Sequence, residues 1–154
     1  DYCRIWQSNT RGKPCPRRAN LVANPGFETS ERSWKGSASV SEDKHSGSRA
    51  AALKGHGMIE QNVQVKPNTT YILSGWAKSP STNEADKWFN AFLGVKDHGH
   101  SAADTMFFFP NYHQKSLEFT TGPDTMSAVI YFTNRPHGEL AIIDDVELVE
   151  VAAP

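Results

Sequence analysis

The sequence predicts an all-β sandwich or barrel, and three observations carry that prediction. Short β-prone runs recur along the 154 residues, turn residues punctuate them at close intervals, and no stretch keeps the apolar period of a helix. The turns are marked by Asn24-Pro25-Gly26, Ser46-Gly47-Ser48, Lys66-Pro67-Asn68, Ser79-Pro80-Ser81, Asp97-His98-Gly99, Gly122-Pro123-Asp124 and Arg135-Pro136-His137-Gly138. Between them, strands are expected at 38–41, 50–54, 58–65, 70–78, 88–96, 115–121, 126–134 and 140–150. No repeat or low-complexity tract interrupts the series.

Length and composition fit one globular domain: 38% hydrophobic and 21% charged residues, with a formal net charge of -1. That balance supplies no field to recruit nucleic acid or an anionic membrane, and no apolar run approaches the roughly 20 residues of a membrane span. Residues 1–19 form a basic extension with Arg4, Arg11, Lys13, Arg17 and Arg18 against Asp1. The domain proper is expected over 20–150, and 151–154 as a tail. Cys3 and Cys15 both fall in the extension. A secreted, extracellular domain would join them as a disulfide closing a short loop; two free thiols are the alternative. The opening Asp1-Tyr2-Cys3-Arg4 has no apolar core of a signal peptide and reads as a mature or excised fragment.

Alternation along each strand separates two faces. Tyr71, Leu73, Gly75 and Ala77 read as core, leaving Ile72, Ser74, Trp76 and Lys78 on the other side. Over 88–96, Phe89, Ala91, Leu93 and Val95 read inward, and Trp88, Asn90, Phe92, Gly94 and Lys96 outward. Ala128, Ile130 and Phe132 read inward against Val129, Tyr131 and Thr133, and Leu117 and Phe119 also read inward. Large aromatics thus share the polar parity of three strands and are expected on one solvent-facing surface. A pyranose offers an apolar C–H face to such rings and a hydroxyl rim to neighbouring polar groups. The candidate binding set is Trp76, Trp88, Phe92 and Tyr131 with Asn90, Lys96, Lys78 and Arg135. Trp34 is expected to plug the core. The Phe107-Phe108-Phe109-Pro110-Asn111-Tyr112 segment reads either as a buried strand or as a lid.

Four blocks carry a family resemblance: Asn20-Leu21-Val22-Ala23-Asn24-Pro25-Gly26-Phe27-Glu28 followed by Trp34, then His45-Ser46-Gly47-Ser48-Arg49-Ala50, then Pro67-Asn68-Thr69-Thr70-Tyr71-Ile72-Leu73-Ser74-Gly75-Trp76-Ala77-Lys78, then Ile142-Ile143-Asp144-Asp145-Val146-Glu147-Leu148. In this order they resemble the bacterial carbohydrate-binding modules of families 4, 9, 16 and 22. The resemblance implies a galactose-binding-like jelly roll: a β-sandwich of two antiparallel sheets, a concave glycan cleft and a structural calcium ion joining the two ends of the chain. It implies Glu28 and Asp144 as carboxylate ligands, with backbone carbonyls near His45 and Ser48. Parity groups Asp144 with Val146 and Leu148 on the inward side. Calcium favours hard oxygen donors of this kind. Pairing of the two acids with Arg49 or Lys54 is the alternative.

The function expected from these readings is non-catalytic polysaccharide binding that tethers a covalently attached degrading enzyme to its substrate. The lysines and Arg135 suggest an anionic glycan such as alginate or a sulfated galactan; a neutral glucan, mannan or xylan suits the same face. Enzyme readings are weaker. His98-Gly99-His100 with Asp104 lacks the rest of a metal motif, Glu60, Glu118 and Glu139 show no pairing around a cleft, and Tyr112-His113 with Lys115 would serve a small β-sandwich polysaccharide lyase. A spacer or adhesion domain without a glycan site is the third class. Asn68-Thr69-Thr70 is an N-glycosylation acceptor sequence.

Overall fold

The computed structural model describes residues 18–29, 33–79, 91–107, 110–134 and 140–151. Among the described residues ten strands are arranged in two antiparallel five-stranded sheets, and no helix occurs. The strands are β1 (Lys35–Gly36), β2 (Ser39–Ser41), β3 (Ala50–Lys54), β4 (Met58–Gln64), β5 (Thr70–Lys78), β6 (Ala91–Lys96), β7 (Ala103–Phe107), β8 (His113–Thr120), β9 (Ser127–Asn134) and β10 (Leu140–Glu150). One sheet has the order β1-β4-β9-β6-β7 and the other β2-β3-β10-β5-β8. This is the sandwich the alternation predicts.

Between the layers lies one apolar core. Tyr71, Leu73 and Ala77 of β5 meet Leu93 and Val95 of β6, Ile130 and Phe132 of β9, and Ile143 and Leu148 of β10. The facing side chains are bulky and fully buried, so truncation leaves a void that the sheets cannot close; Phe132→Ala would cost about 3–5 kcal/mol. Trp34 is in this core, stacked on Phe27 at 5.2 Å, with its indole N–H donating to the Asn24 carbonyl at 3.2 Å. A smaller cluster sits outside the second sheet, where Ala50, Ala52 and Ile142 are covered by Tyr112 and Leu140.

The opening segment is bound to the closing strand. Leu21 N–H donates to the Leu148 carbonyl at 2.9 Å, and Asn20 Oδ1 accepts from Leu148 N–H at 2.9 Å while Asn20 Nδ2 donates to the Val146 carbonyl. Arg18, within the stretch read as an extension, donates to the Glu150 carbonyl at 2.7 Å.

In β10 the parity reading needs correction. Asp144 pairs with Trp76 and therefore points outward with it, not inward with Val146 and Leu148. A bulge between Asp144 and Glu147 resets the alternation, with Asp145 at φ 49°. Ile143 and Val146 can then both face the core. Asp144 is nonetheless fully buried, at 0% exposure, because a loop covers it from outside.

Candidate functional site

The two sheets have separate outer faces, and they divide the predicted aromatics. Trp76 on β5 belongs to the sheet β2-β3-β10-β5-β8; Phe92 on β6 and Tyr131 on β9 belong to the other. The single platform expected from parity is therefore not formed. Alternation distinguishes inside from outside, but a sandwich has two outsides. Lys96 accompanies Phe92 and Tyr131, whereas Lys78 accompanies Trp76. Trp88, Asn90 and Arg135 lie outside the described residues, as do Cys3 and Cys15 and their predicted disulfide.

The face that bears Trp76 is closed by the 42–49 loop. The His45 imidazole stacks on the Trp76 ring with centroids 3.9 Å apart and planes 11° from parallel. Its Nδ1 is 2.7 Å from Asp145 Oδ2, which also accepts from Ser46 Oγ at 2.6 Å. Beyond it, Tyr112 presents an edge to His45 and carries the Lys78 ammonium 4.9 Å over its ring; Lys78 is ion-paired with Asp43, whose carbonyl accepts from the Tyr112 hydroxyl at 3.1 Å. Burial first, then the charges of Asp43, Asp144 and Asp145, hold the Tyr112 phenol far above its ordinary range.

Beneath this loop lie the predicted calcium ligands. Asp144 Oδ2 accepts from the N–H groups of His45 and Ser46, both at 3.0 Å, and Oδ1 from Asp145 N–H at 2.8 Å. Glu28 Oε1 accepts from Ser48 N–H at 2.8 Å and Arg49 N–H at 3.2 Å. Gly47, at φ 66°, allows this approach: a β-carbon there would lie 2.1 Å from Glu28 Oε1. What the loop turns towards the two carboxylates is thus a row of amides. Desolvation leads in raising the Asp144 pKa, the amides oppose it, and the neighbouring Asp145 charge adds to the rise.

A cation suits this arrangement because Glu28 and Asp144 are hard oxygen donors. Gly26 borders both acids: a β-carbon there would be in van der Waals contact, 3.6 Å from Glu28 Cγ and Asp145 Oδ1 and 3.8 Å from Asp144 Oδ1. Among the described residues no three His, Cys, Asp or Glu side chains converge at metal-binding spacing. An ion here therefore needs backbone oxygens to fill its shell.

The outer face of the sheet β1-β4-β9-β6-β7 is different in kind. Strand register places Glu60, Tyr131, Gly94 and Asp104 in one row across four strands, and Met58, Thr133, Phe92 and Met106 in the next. The Tyr131 ring lies against the sheet over Gly94, where an added β-carbon would come 2.5 Å from Cζ and Oη. Burial first, then the charge of Asp104 on β7, raises the pKa of its hydroxyl. Lys96 Nζ is 5.9 Å from the ring centroid and 2.9 Å from Glu60 Oε2. Met58 and Met106 are exposed at 41% and 37%. Sequence reading did not select Gly94, Asp104 or Glu60 for the site. A glycine within a strand, on the parity of Phe92 and Lys96, was the available signal of a close approach.

Among the described residues, the side-chain sets weighed for catalysis do not assemble. His98 is buried with its ring nitrogens 3.4 Å from the Thr120 carbonyl and 3.1 Å from the Ser101 carbonyl. Glu60 and Glu118 are on different sheets; Glu139 lies outside the described residues. Tyr112 packs on the outer cluster while His113 contacts Phe107 of the core at 5.2 Å, so the two do not converge on one substrate. A phenol with a raised pKa is also a poor proton acceptor.

Comparison with known proteins agrees with this geometry. The chain is 32% identical over 139 residues to the keratan-sulfate endo-1,4-beta-galactosidase of Sphingobacterium multivorum, covering 86% of this chain and 29% of that protein. It is 29% identical over 139 residues to exochitinase 1 of Streptomyces olivaceoviridis, covering 85% and 22%. The chain thus spans under a third of either relative. Among solved structures, TmCBM61 in complex with beta-1,4-galactotriose superposes with a TM-score of 0.66 at 22% identity, covering 86% of this chain and 99% of the other. A family 16 carbohydrate-binding module gives 0.67 at 23%, covering 85% and 100%, and the CBM22-1 xylan-binding domain of Paenibacillus barcinonensis Xyn10C gives 0.68 at 12%, covering 89% and 97%; at these identities the likeness is one of fold. The model of the carbohydrate binding domain family CBM_4_9 matches residues 19–138, and the chain belongs to that family.

Proposed function

We propose that this chain is a non-catalytic module that binds a polysaccharide containing β-1,4-linked galactose on the outer face of the sheet β1-β4-β9-β6-β7. The observation that carries the reading is the Tyr131 ring lying on that sheet, bordered by Asp104, Glu60 and Lys96. The axial hydroxyl of galactose leaves a continuous C–H surface on the opposite face of the sugar, which an aromatic ring covers. The Glu60 carboxylate accepts from sugar hydroxyls and the Lys96 ammonium donates to them. One relative named for a galactosidase and one fold neighbour complexed with beta-1,4-galactotriose favour this sugar. Charge favours a neutral chain: Lys96 is paired with Glu60, and Lys78, counted among the cations that suggested an anionic glycan, is on the other sheet paired with Asp43.

The role that follows is tethering. A secreted enzyme attached to the module would be held at its substrate at raised local concentration. Affinity electrophoresis against β-1,4-galactan, keratan sulfate, xylan and chitin tests the ligand. Retardation by galactan that galactose-free glycans do not produce is expected; equal retardation by xylan, or none by any glycan, would sink it.

We further propose a structural calcium ion held by Glu28 and Asp144. The buried carboxylate of Asp144 with Asp145 beside it supports a counter-charge at this place. The ion would supply that charge and join the opening segment to the closing strand.

A further inference from the structure

A tyrosine on the outer face of a sheet has room to stand away from it, yet Tyr131 lies down across β6. Register pairs Gly94 with Tyr131 on one side and with Asp104 on the other. The phenol therefore passes over the Gly94 backbone to reach Asp104 on β7. Any side chain at position 94 would occupy the space the ring uses, since a β-carbon would come 2.5 Å from Cζ and Oη. At the far end the register sets Asp104 on β7 opposite Gly94, on the side to which the hydroxyl extends, and Lys96, two residues along β6, flanks the ring.

We propose that Gly94 and Asp104 are positioning residues for sugar recognition: the glycine clears a bed for the Tyr131 ring and the carboxylate latches its hydroxyl, so that the ring is held flat before a sugar arrives. The inference rests on the reading of this face as the glycan site. A ring fixed in advance loses little rotamer freedom when it binds, and that saving appears as affinity. A latched ring also presents only its face, so it accepts a pyranose through an uninterrupted C–H surface. The phenol pKa, raised by burial first and then by the Asp104 charge, agrees with a hydroxyl that keeps its proton beside a carboxylate.

The test uses the whole chain with Asp104→Asn, Gly94→Ala, Tyr131→Phe and the double variant Asp104→Asn/Tyr131→Phe. Affinity for β-1,4-galactan is measured by calorimetry, and the Tyr131 phenol is titrated by ultraviolet absorbance, with Tyr131→Phe identifying its signal. Asp104→Asn is expected to bring the phenol back towards its ordinary value near about 10. Its affinity should fall by about three- to ten-fold, as for loss of one hydrogen bond. The double variant should bind no more weakly than Tyr131→Phe alone. Gly94→Ala, whose β-carbon would also come 2.7 Å from the Ala103 carbonyl oxygen, should melt lower and lose up to about ten-fold in affinity. A further loss on adding Asp104→Asn to Tyr131→Phe would mean that Asp104 touches the sugar itself and would overturn the latch. Unchanged titration in Asp104→Asn would overturn it too. Absence of galactan binding by the wild type would instead remove the glycan reading, while the titration, which needs no ligand, would still report whether the Asp104 carboxylate sits beside the phenol.

Discussion

The two outer faces of this sandwich answer the same sequence signal in opposite ways. On one, Trp76 is covered by the stacked His45 ring and walled in by Tyr112, Lys78 and Asp43. On the other, Tyr131 lies on the sheet with polar groups at its borders and the exposed Met58 and Met106 in the neighbouring row. Each ring occupies an outward strand position. What separates them is the connection: the loop between β2 and β3 folds over the first, because Asp144 and Glu28 offer acceptors for its amides. An outward aromatic is therefore a candidate for recognition only once it is known which loops have acceptors to fold onto.

The sharpest way to break this contrast is to remove each ring in turn. Trp76→Ala should lower stability by about 2–3 kcal/mol, the upper range being reserved for fully buried rings, and leave galactan retardation unchanged. Urea melts and affinity gels read the two effects separately; lost retardation with an unaltered melt would reverse the assignment of the faces. Chelation comes next. An ion present at about a hundred times its Kd contributes about 2.7 kcal/mol, so chelator should lower the wild-type melting temperature while galactan binding well below that temperature persists. Glu28→Ala should melt lower and no longer respond to chelator. Equal melts with and without chelator would leave the loop amides as the sole partners of these carboxylates.

Tyr131→Ala is expected to weaken galactan binding by about ten-fold, or about 1.4 kcal/mol, with little change in the melt, which isothermal titration and calorimetric scans would show. The smallest effect concerns alkaline pH. Burial, then Asp43, raises the Tyr112 pKa above that of the unfolded chain. The stability this carries is fully present below about pH 10, the unfolded phenol value, and is lost as pH rises towards the folded value. Tyr112→Phe should cost about 1 kcal/mol at neutral pH, for the hydrogen bond to the Asp43 carbonyl, and should flatten the alkaline fall in stability followed by urea melts at stepped pH.

Much of the fold is legible because alternation survives in long strands: β5 and β9 bury every second residue as their sequences imply. The two-residue β1 carries no apolar pattern to read, and the edge strand β7 ends in the Phe107 segment whose sequence suits a strand or a lid equally. The site is less legible for two physical reasons. Sheet membership depends on long-range pairing, so Trp76 and Tyr131 look alike until β5 and β9 are assigned to different sheets. The bulge in β10 shifts parity by one residue, so Asp144 is buried for a reason that the Val146 and Leu148 pattern does not contain. The acids themselves, Glu28 and Asp144, were identifiable because both stand in the blocks that carry the family resemblance.

The stitching of the opening segment to β10 has a mechanical consequence. Arg18 bonds at Glu150, Asn20 and Leu21 at Leu148, and the Pro25 carbonyl at Val146. Residue 18 and residue 150 therefore leave the domain side by side. Tension applied between those two points would open the seam one bond at a time, starting from Arg18, instead of loading all of them together in shear. A module strung in this way yields first at its margin under a pull, while the sheet that carries Tyr131 stands outside the line of force.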